Sequence, residues 1–348
     1  MEKSKPKIGT MKELSEAIGV SRPTLSRYFQ DPALVRPSTS RRIEERLAEV
    51  DYVYNFIATR QNRKSSGLIG VIIPHYSDLF FTSLLEVIEE AARDIGYAII
   101  TQSSNGDAQL EAKAVSKLRS MNVDGAIIAP LGLESFDEAF VAASSDFPIV
   151  FADSRPMVAV PGSDFVGTDN TQGIASVVEY LCRTGDAPIF LSMPHLNTNA
   201  LEREEAYTSK MTSLGKQPLL IETEGADRSW HFEAYGYEIM DDHFSQQRHI
   251  SATILCANDR IAIGAIRAAN KHGLFRNGRG ANGALRIAGH DDHPLSQYMY
   301  PAISTVAQDI EGIGKDAVRL ILERIRGERV AKRQHILKKS TLKLREST

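Results

Sequence analysis

From residue 68 onward, this chain of 348 residues alternates short apolar runs with amphipathic stretches of helical length, and that alternation limits its possible folds more than any other feature. Leu68–Ile73, Tyr97–Thr101, Gly125–Ala129, Ile149–Ala152, Ile189–Met193, Leu219–Ile221, Thr253–Ala257 and Leu285–Gly289 read as strands buried on both faces. Helical stretches such as Thr82–Ile95 and Thr171–Arg183 separate them. A strand lying parallel to its predecessor needs a crossover, and a helix is the common one. The expected class is α/β, with parallel sheets covered by helices on both faces. About eleven strands is too many for one comfortable sheet, and a break near residues 154–167 divides them into two similar units.

The segment ahead of this body has a different character. Residues 1–66 carry 13 Lys/Arg and 8 Asp/Glu, a net of +5; the whole chain has 41 and 44, so the remainder has 28 and 36, a net of −8. A basic head on an acidic body points to a polyanion as the partner of the head. With 42% hydrophobic and 24% charged residues, wholesale disorder is excluded. No apolar run nears the roughly 18 residues that would cross a bilayer. The charged start Met1-Glu2-Lys3-Ser4-Lys5-Pro6-Lys7 lacks the apolar core of a secretory signal. Cys182 and Cys256, both in apolar settings, fit buried thiols. A cytoplasmic protein with no membrane partner is the expectation.

The head reads as three short helices. Thr10-Met11-Lys12-Glu13 is a capping box, Leu14, Ala17 and Ile18 share a face, and Gly19 ends the helix. Ser21 is a candidate N-cap of a second helix, with Pro23 tolerated in its first turn and Leu25, Tyr28 and Phe29 facing inward. A third helix follows Pro37, with Ile43, Leu47 and Val50 on one face. This is the pattern of a helix-turn-helix, whose second helix enters the major groove N-terminus first. Arg22 and Arg27 each offer a fork suited to guanine O6 and N7. Thr24, Ser26 and the helix N-terminus suit phosphates. A protein-interaction domain with surface arginines is the plainer alternative.

In the body, the residues just past the strands are informative, because ligands of such sheets bind beyond the carboxyl ends of strands. They are Ser77-Asp78-Leu79-Phe80-Phe81, Asn105-Gly106-Asp107, Asp153, Asn258-Asp259 and His290-Asp291-Asp292-His293. Carboxylates, amides and ring faces gathered at one rim suit a polyhydroxylated ligand. Asp and Asn there also serve as caps of the following helices, and for any single residue both readings stay open.

These stretches resemble the lactose-repressor (LacI/GalR) family of transcription regulators. Val20-Ser21-x-x-Thr24-x-Ser26-Arg27 matches its V-S-x-x-T-V-S-R run with Leu25 for Val, and Leu47-Ala48-Glu49-Val50-Asp51-Tyr52-Val53-Tyr54-Asn55 is similar to its L-G-Y-x-P-N stretch, with Tyr54 for Pro. Ser77-Asp78-Leu79-Phe80-Phe81 resembles its N-P-F-F element, Val150-Phe151-Ala152-Asp153 its V-x-x-D strand end, and Glu202-Arg203-Glu204-Glu205-Ala206-Tyr207 its G-R-x-x-G-F. Ala257-Asn258-Asp259 and Gly289-His290-Asp291-Asp292 correspond to its N-D and G-Y-D-D elements.

The resemblance implies a helix-turn-helix domain over 1–54, a hinge over 55–66 and a periplasmic-binding-protein-like effector core over 67–348. The core would divide into one subdomain of about 67–165 plus 308–325 and another of about 166–307 plus 326–348. DNA contacts would come from Thr10, Ser21, Arg22, Pro23, Thr24, Ser26 and Arg27, and from Asn55, Arg60 and Gln61 of the hinge. In the family a hinge leucine wedges into the minor groove. Gln61 takes that place here, so contact without a leucine-type kink is expected. Effector contacts would come from Asp78, Phe80, Phe81, Asp153, Arg203, Trp230, Asn258, Asp291 and Gln308, with His231 competing for the role of Trp230. The implied protein is a homodimeric repressor of a near-palindromic operator in double-stranded DNA. Its effector would be a sugar, sugar acid or sugar phosphate, with no cofactor.

Other motifs carry less. Gly278-Arg279-Gly280-Ala281-Asn282-Gly283 has nucleotide-loop spacing but precedes a strand rather than following one. Gly312-Ile313-Gly314-Lys315-Asp316 lacks phosphate-loop spacing. His290-Asp291-Asp292-His293 and Asp241-Asp242-His243 have metal-binding residue types without a metal-site spacing. A metal-dependent sugar-processing enzyme built on the His290–His293 cluster is the alternative, and it leaves the basic head unexplained. A sugar-transport component would lack a use for the same head.

Overall fold

The computed structural model describes residues 5–53, 65–133, 135–223, 230–276, 279–280, 285–328 and 333–348. They fall into two units, Met1–Ser66 and Gly67–Thr348.

In the first unit, Thr10 starts helix α1 (Met11–Ile18) with both halves of the capping box formed. The Thr10 hydroxyl accepts from the Glu13 N–H at 3.2 Å, and the Glu13 carboxylate accepts from the N–H groups of Thr10 (3.2 Å) and Gly9 (2.9 Å). Gly19 ends α1 at φ 65°, a left-handed conformation that costs glycine little. Helices α2 (Arg22–Gln30) and α3 (Pro37–Leu47) follow, with a 3-10 turn at Pro32–Leu34 between them. Strand β1 (Lys7–Ile8) pairs in parallel with β2 (Asp51–Tyr52), a tie that neither short segment announces in sequence. Leu14, Ile18, Val20, Leu25 and Ile43 form the buried core, with Tyr28, Phe29, Leu47 and Val50 half-buried around it. Ala17, expected on the inner face, is exposed: it sits about 100° around the helix from Ile18.

The second unit starts with β3 (Leu68–Ile73), α4 (Leu79–Arg93), β4 (Ala98–Ser103), α5 (Ala108–Ser120), β5 (Gly125–Ile128), α6 (Asp137–Ala143), β6 (Ile149–Ala152) and β7 (Asp164–Thr168). It continues through α7 (Asn170–Thr184), β8 (Ile189–Leu191), α8 (Thr198–Ser213), α9 (Phe232–Ser245), β9 (Thr253–Cys256), α10 (Asp259–Lys271), β10 (Phe275–Arg276), β11 (Arg279–Gly280), β12 (Arg286–Ala288) and β13 (Thr305–Ala307). Last come α11 (Ile310–Ile325), β14 (His335–Lys338) and β15 (Thr341–Lys343).

Two parallel sheets make two lobes. The first has six strands in the order β14-β7-β6-β5-β3-β4. The second has the order β12-β9-β8, extended at its edges by single bridges from Ala288 to Ser304 and from Phe190 to Leu220. Helix α11 packs on α4, β5, β6 and β7 of the first lobe, whereas α7 packs on α8, β13 and β15 of the second. The chain therefore crosses between lobes three times, after β7, β13 and β14. The crossings are stitched together. The Asp169 N–H donates to the Lys338 carbonyl (2.8 Å), the Ser340 N–H to Gln172 Oε1 (2.9 Å), and the Thr168 hydroxyl to Gln308 Oε1.

Three expectations need correction. The strand expected at Leu219–Ile221 shrinks to one bridge at Leu220, because Leu219 and Leu220 are exposed and Pro218 supplies no N–H to an edge. Strand β7 starts inside the stretch read as a break and runs one residue past it. It opens on Asp164, a buried carboxylate gripped by Arg324 (Nε to Oδ2 3.0 Å, Nη2 to Oδ1 3.0 Å), and that charge hides it in an apolar scan. Strand β14 joins β7 in the first sheet, although the second subdomain was expected to hold 326–348. As an edge strand it alternates exposed and half-buried residues, with His335 and Lys338 at its ends. Among the described residues no helix is long and apolar enough to cross a membrane.

Candidate ligand cleft and nucleic-acid interface

A narrow cleft lies at the carboxyl ends of the strands between the lobes, and all nine expected effector residues line it. Asp78, Phe80 and Phe81 come from the start of α4, Asp153 from the end of β6, Arg203 from α8 and Trp230 from just before α9. Asn258 precedes α10, Asp291 follows β12, and Gln308 sits on the second crossing. Met193, Asn197, Asn199, Phe232 and Arg260 complete the wall.

A continuous polar belt runs through this wall. Asn199 Nδ2 donates to Asp153 Oδ2 (3.0 Å), Asn170 Nδ2 to Asn199 Oδ1 (3.0 Å), and Arg203 Nε to Asn170 Oδ1 (3.0 Å). Arg203 also donates Nη1 to the Ala257 carbonyl (2.8 Å) and pairs through Nη2 with Asp291 Oδ1 at 2.8 Å. Asp291 Oδ1 further accepts from Gln308 Nε2 (2.7 Å) and His290 Nδ1 (2.9 Å). Asn170 and Asn199 were missing from the sequence-based set. Asn170 directly follows the N-cap Asp169, and Asn199 lies two residues past the N-cap Asn197, so both hide among capping residues.

The belt sets the charge of each member. Burial pushes the Asp291 carboxyl up, but Arg203 and His290 outweigh it and hold it at about 2. Burial, helped by Arg203, pushes His290 down to about 4, so its imidazole is neutral near pH 7. Burial lifts Asp153 to about 7 despite the pull of Arg203, with Asp291 adding to the rise. Asp153 and Asp291 also sit in the left-handed backbone region, at φ 67° and 118°, which non-glycine residues occupy uncommonly.

Several residues are caps as well as lining. Asp78 Oδ1 accepts from the Phe80 N–H (3.0 Å), while its Oδ2 pairs with Arg260 Nη1 at 2.9 Å. Asn258 Oδ1 accepts from the Ile261 N–H (2.8 Å) at the start of α10. Asp107 caps α5 and stays out of the lining. Asp259 is structural: fully buried, it accepts from the Ser296 hydroxyl (2.6 Å), the Thr305 hydroxyl (2.6 Å) and the His293 N–H (2.8 Å). Trp230, not His231, fills the aromatic place; Trp230 is buried over Gly106, and His231 is exposed outside the lining. A Cβ on Gly106 would stand 2.4 Å from the indole, and its φ of 71° also requires glycine.

The two metal-like clusters are occupied by protein partners. His290 faces Asp291, while Asp241 holds Lys271 Nζ and His272 Nε2, each at 2.8 Å. Among the described residues no group of three or more His, Cys, Asp or Glu is disposed to hold a metal ion.

In the first unit, Arg22, Pro23 and Arg27 are exposed on α2, with Thr24 and Ser26 half-buried. Ser21 occupies the N-cap position, yet its hydroxyl bonds the Thr24 hydroxyl (2.8 Å) rather than a helix N–H. Thr10 is spent on its own cap. Asn55, Arg60 and Gln61 lie outside the described residues, as does most of Gly278–Gly283.

A polar cleft between two parallel-sheet lobes, joined to a helix-turn-helix head, defines a class: DNA-binding regulators with a small-molecule sensor. Comparison with known proteins gives the family. Residues 66–343 match the profile of periplasmic binding proteins and the sugar binding domain of the LacI family, and residues 5–54 match a helix-turn-helix profile. The HTH-type transcriptional regulator DegA of Bacillus subtilis is 27% identical, covering 94% of this chain and 95% of its own. The HTH-type transcriptional repressor CytR of Escherichia coli K12 is 26% identical, with 92% and 91% covered. The structure of the lac repressor dimer bound to operator and an anti-inducer superimposes with a TM-score of 0.78 at 25% identity, covering 99% of both chains. This chain belongs to the LacI family. It is a DNA-binding transcriptional regulator controlled by a small-molecule effector.

Proposed function

We propose that the chain is a homodimeric repressor acting in the cytoplasm, whose paired heads bind a near-palindromic operator and whose cleft takes a sugar, sugar acid or sugar phosphate. The observation that carries this reading is the belt from Asp153 through Arg203 to Gln308, which lines the cleft and continues into a crossing between the lobes. A ligand held by it touches the segments that set the angle between the lobes. Asp153, Arg203, Asn258, Asp291 and Gln308 bind its polar groups, while Phe80, Phe81 and Trp230 take its apolar faces; Asp78 serves mainly through Arg260. In the head, Arg22 and Arg27 read bases from the exposed face of α2, and Ser21, Thr24, Ser26 and the start of α1 at Thr10 face phosphates. The hinge residues Asn55, Arg60 and Gln61 add contacts to the groove and backbone. Dimerisation is supported by the two-fold logic of helix-turn-helix readers and by Tyr298 and Tyr300, 78% and 58% exposed in the single chain.

Selection from random duplexes tests this. The full chain should enrich one two-fold symmetric site, and Arg22→Ala should relax one position per half-site by about 1–3 kcal/mol of discrimination. Failure to enrich any site overturns the reading; an unchanged Arg22→Ala site overturns the role of Arg22.

A further inference from the structure

The cleft's cations are already engaged by the chain's own anions. Arg203 pairs with Asp291 at 2.8 Å. Arg260 is held more completely: Nε and Nη2 each reach a Glu233 oxygen at 2.7 Å, and Nη1 reaches Asp78 Oδ2 at 2.9 Å. Asp78 belongs to the first lobe, at the start of α4, whereas Arg260 on α10 and Glu233 on α9 belong to the second. Arg260 is therefore a clasp across the cleft. Asp153 has no ion-pair partner among the described residues.

Three carboxylates, Asp78, Asp153 and Asp291, line this space with two guanidiniums, Arg203 and Arg260, and Glu233 holds Arg260 from outside the lining. Both guanidiniums are already neutralised, Arg203 by Asp291 and Arg260 by Asp78 and Glu233, so an incoming phosphate or carboxylate would meet no uncompensated cation in a poorly solvated site. To form a close ion pair it would have to compete with Asp291 for Arg203 or with Asp78 for Arg260, and the second undoes a tie between the lobes. A hydroxyl-rich neutral molecule meets no such conflict. Three of the five N–H donors of Arg203 are used, leaving two for hydroxyl oxygens. Asp153 accepts hydroxyl protons. We propose that the cleft takes a neutral polyhydroxylated effector and rejects phosphorylated and carboxylated analogues, with Arg260 as the specificity-determining residue that ties Asp78 to Glu233. This rests on the effector reading above and narrows it.

Calorimetry with the full chain tests the proposal with matched probes: D-glucose against D-glucose 6-phosphate and D-glucuronate, D-ribose against D-ribose 5-phosphate, and cellobiose against cellobionate. For at least one set the neutral probe should bind tenfold or more tightly than its charged partner. Asp78→Asn, which frees one donor of Arg260, should shrink that ratio at least threefold. The wild-type ratio decides the matter even if the variant does not fold. Tighter binding of a charged probe, or binding of no probe, overturns the proposal. If a charged ligand alters operator affinity, only the charge assignment fails; if no ligand of any class alters it, the effector reading fails too.

Discussion

A carboxylate or amide just past a strand has two uses, and the cleft separates them residue by residue. Asp107 caps a helix and nothing more, Asp78 and Asn258 cap while lining the cavity, and Asp153 and Asp291 line it without capping. Sequence supplies the residue types at the rim but not this division, which depends on side-chain direction. It also hid Arg260, because a basic residue in the first turn of α10 looks like a solvated surface group until Glu233 and Asp78 are seen to converge on it. The raised carboxyl of Asp153 has a consequence for stability. Its folded value of about 7 lies above that of an exposed Asp, so it stabilises most below pH 4 or so, and this contribution is lost as pH rises towards and through 7. Asp153→Asn has no charge to bury. Its melting temperature relative to wild type should therefore be higher at pH 8 than at pH 5 in pH-resolved thermal unfolding; parallel curves would show that Asp153 is ionised throughout.

At the scale of elements, the signals that survived were those carried by local chemistry. The capping box of α1, the glycine that ends it and the proline in the first turn of α2 are used as the sequence indicates, while Pro37, expected just ahead of α3, is its first residue. Elements that depend on distant partners were illegible. Strand β7 opens on a carboxylate made tolerable to bury by Arg324, 160 residues on, and by the Gln334 N–H, and β14 is an edge whose apolar content is slight. The tie between β1 and β2 joins two residues to two others more than forty positions away, with no turn to announce it. The capping box can be tested by itself. Thr10→Ala should cost about 1 kcal/mol of local stability, read as roughly fivefold faster hydrogen exchange over α1 in the full chain. Unchanged exchange there would mean that core packing of Leu14 and Ile18 alone fixes the helix.

For the whole molecule, the charge split between head and body and the alternation of strands and helices were enough to mark two units of different purpose. The lobes were legible as two sheets, and the family resemblance implied three crossings, near 165, 307 and 325; the residues at 168–170, 307–310 and 338–341 carry no pattern of their own, and the last crossing comes after β14 rather than near 325. Those crossings give the cleft a route to move the lobes, because Gln308 touches both the belt and Thr168. A ligand shifts such a two-state molecule only through its difference in affinity for the two states. Linkage then requires reciprocity: whatever factor the effector applies to operator affinity, the operator must apply to effector affinity. The direct test is effector titration by calorimetry with and without saturating operator duplex, alongside operator titration with and without effector. The account predicts two equal factors, both different from one. Effector affinity that is the same on and off DNA would contradict it.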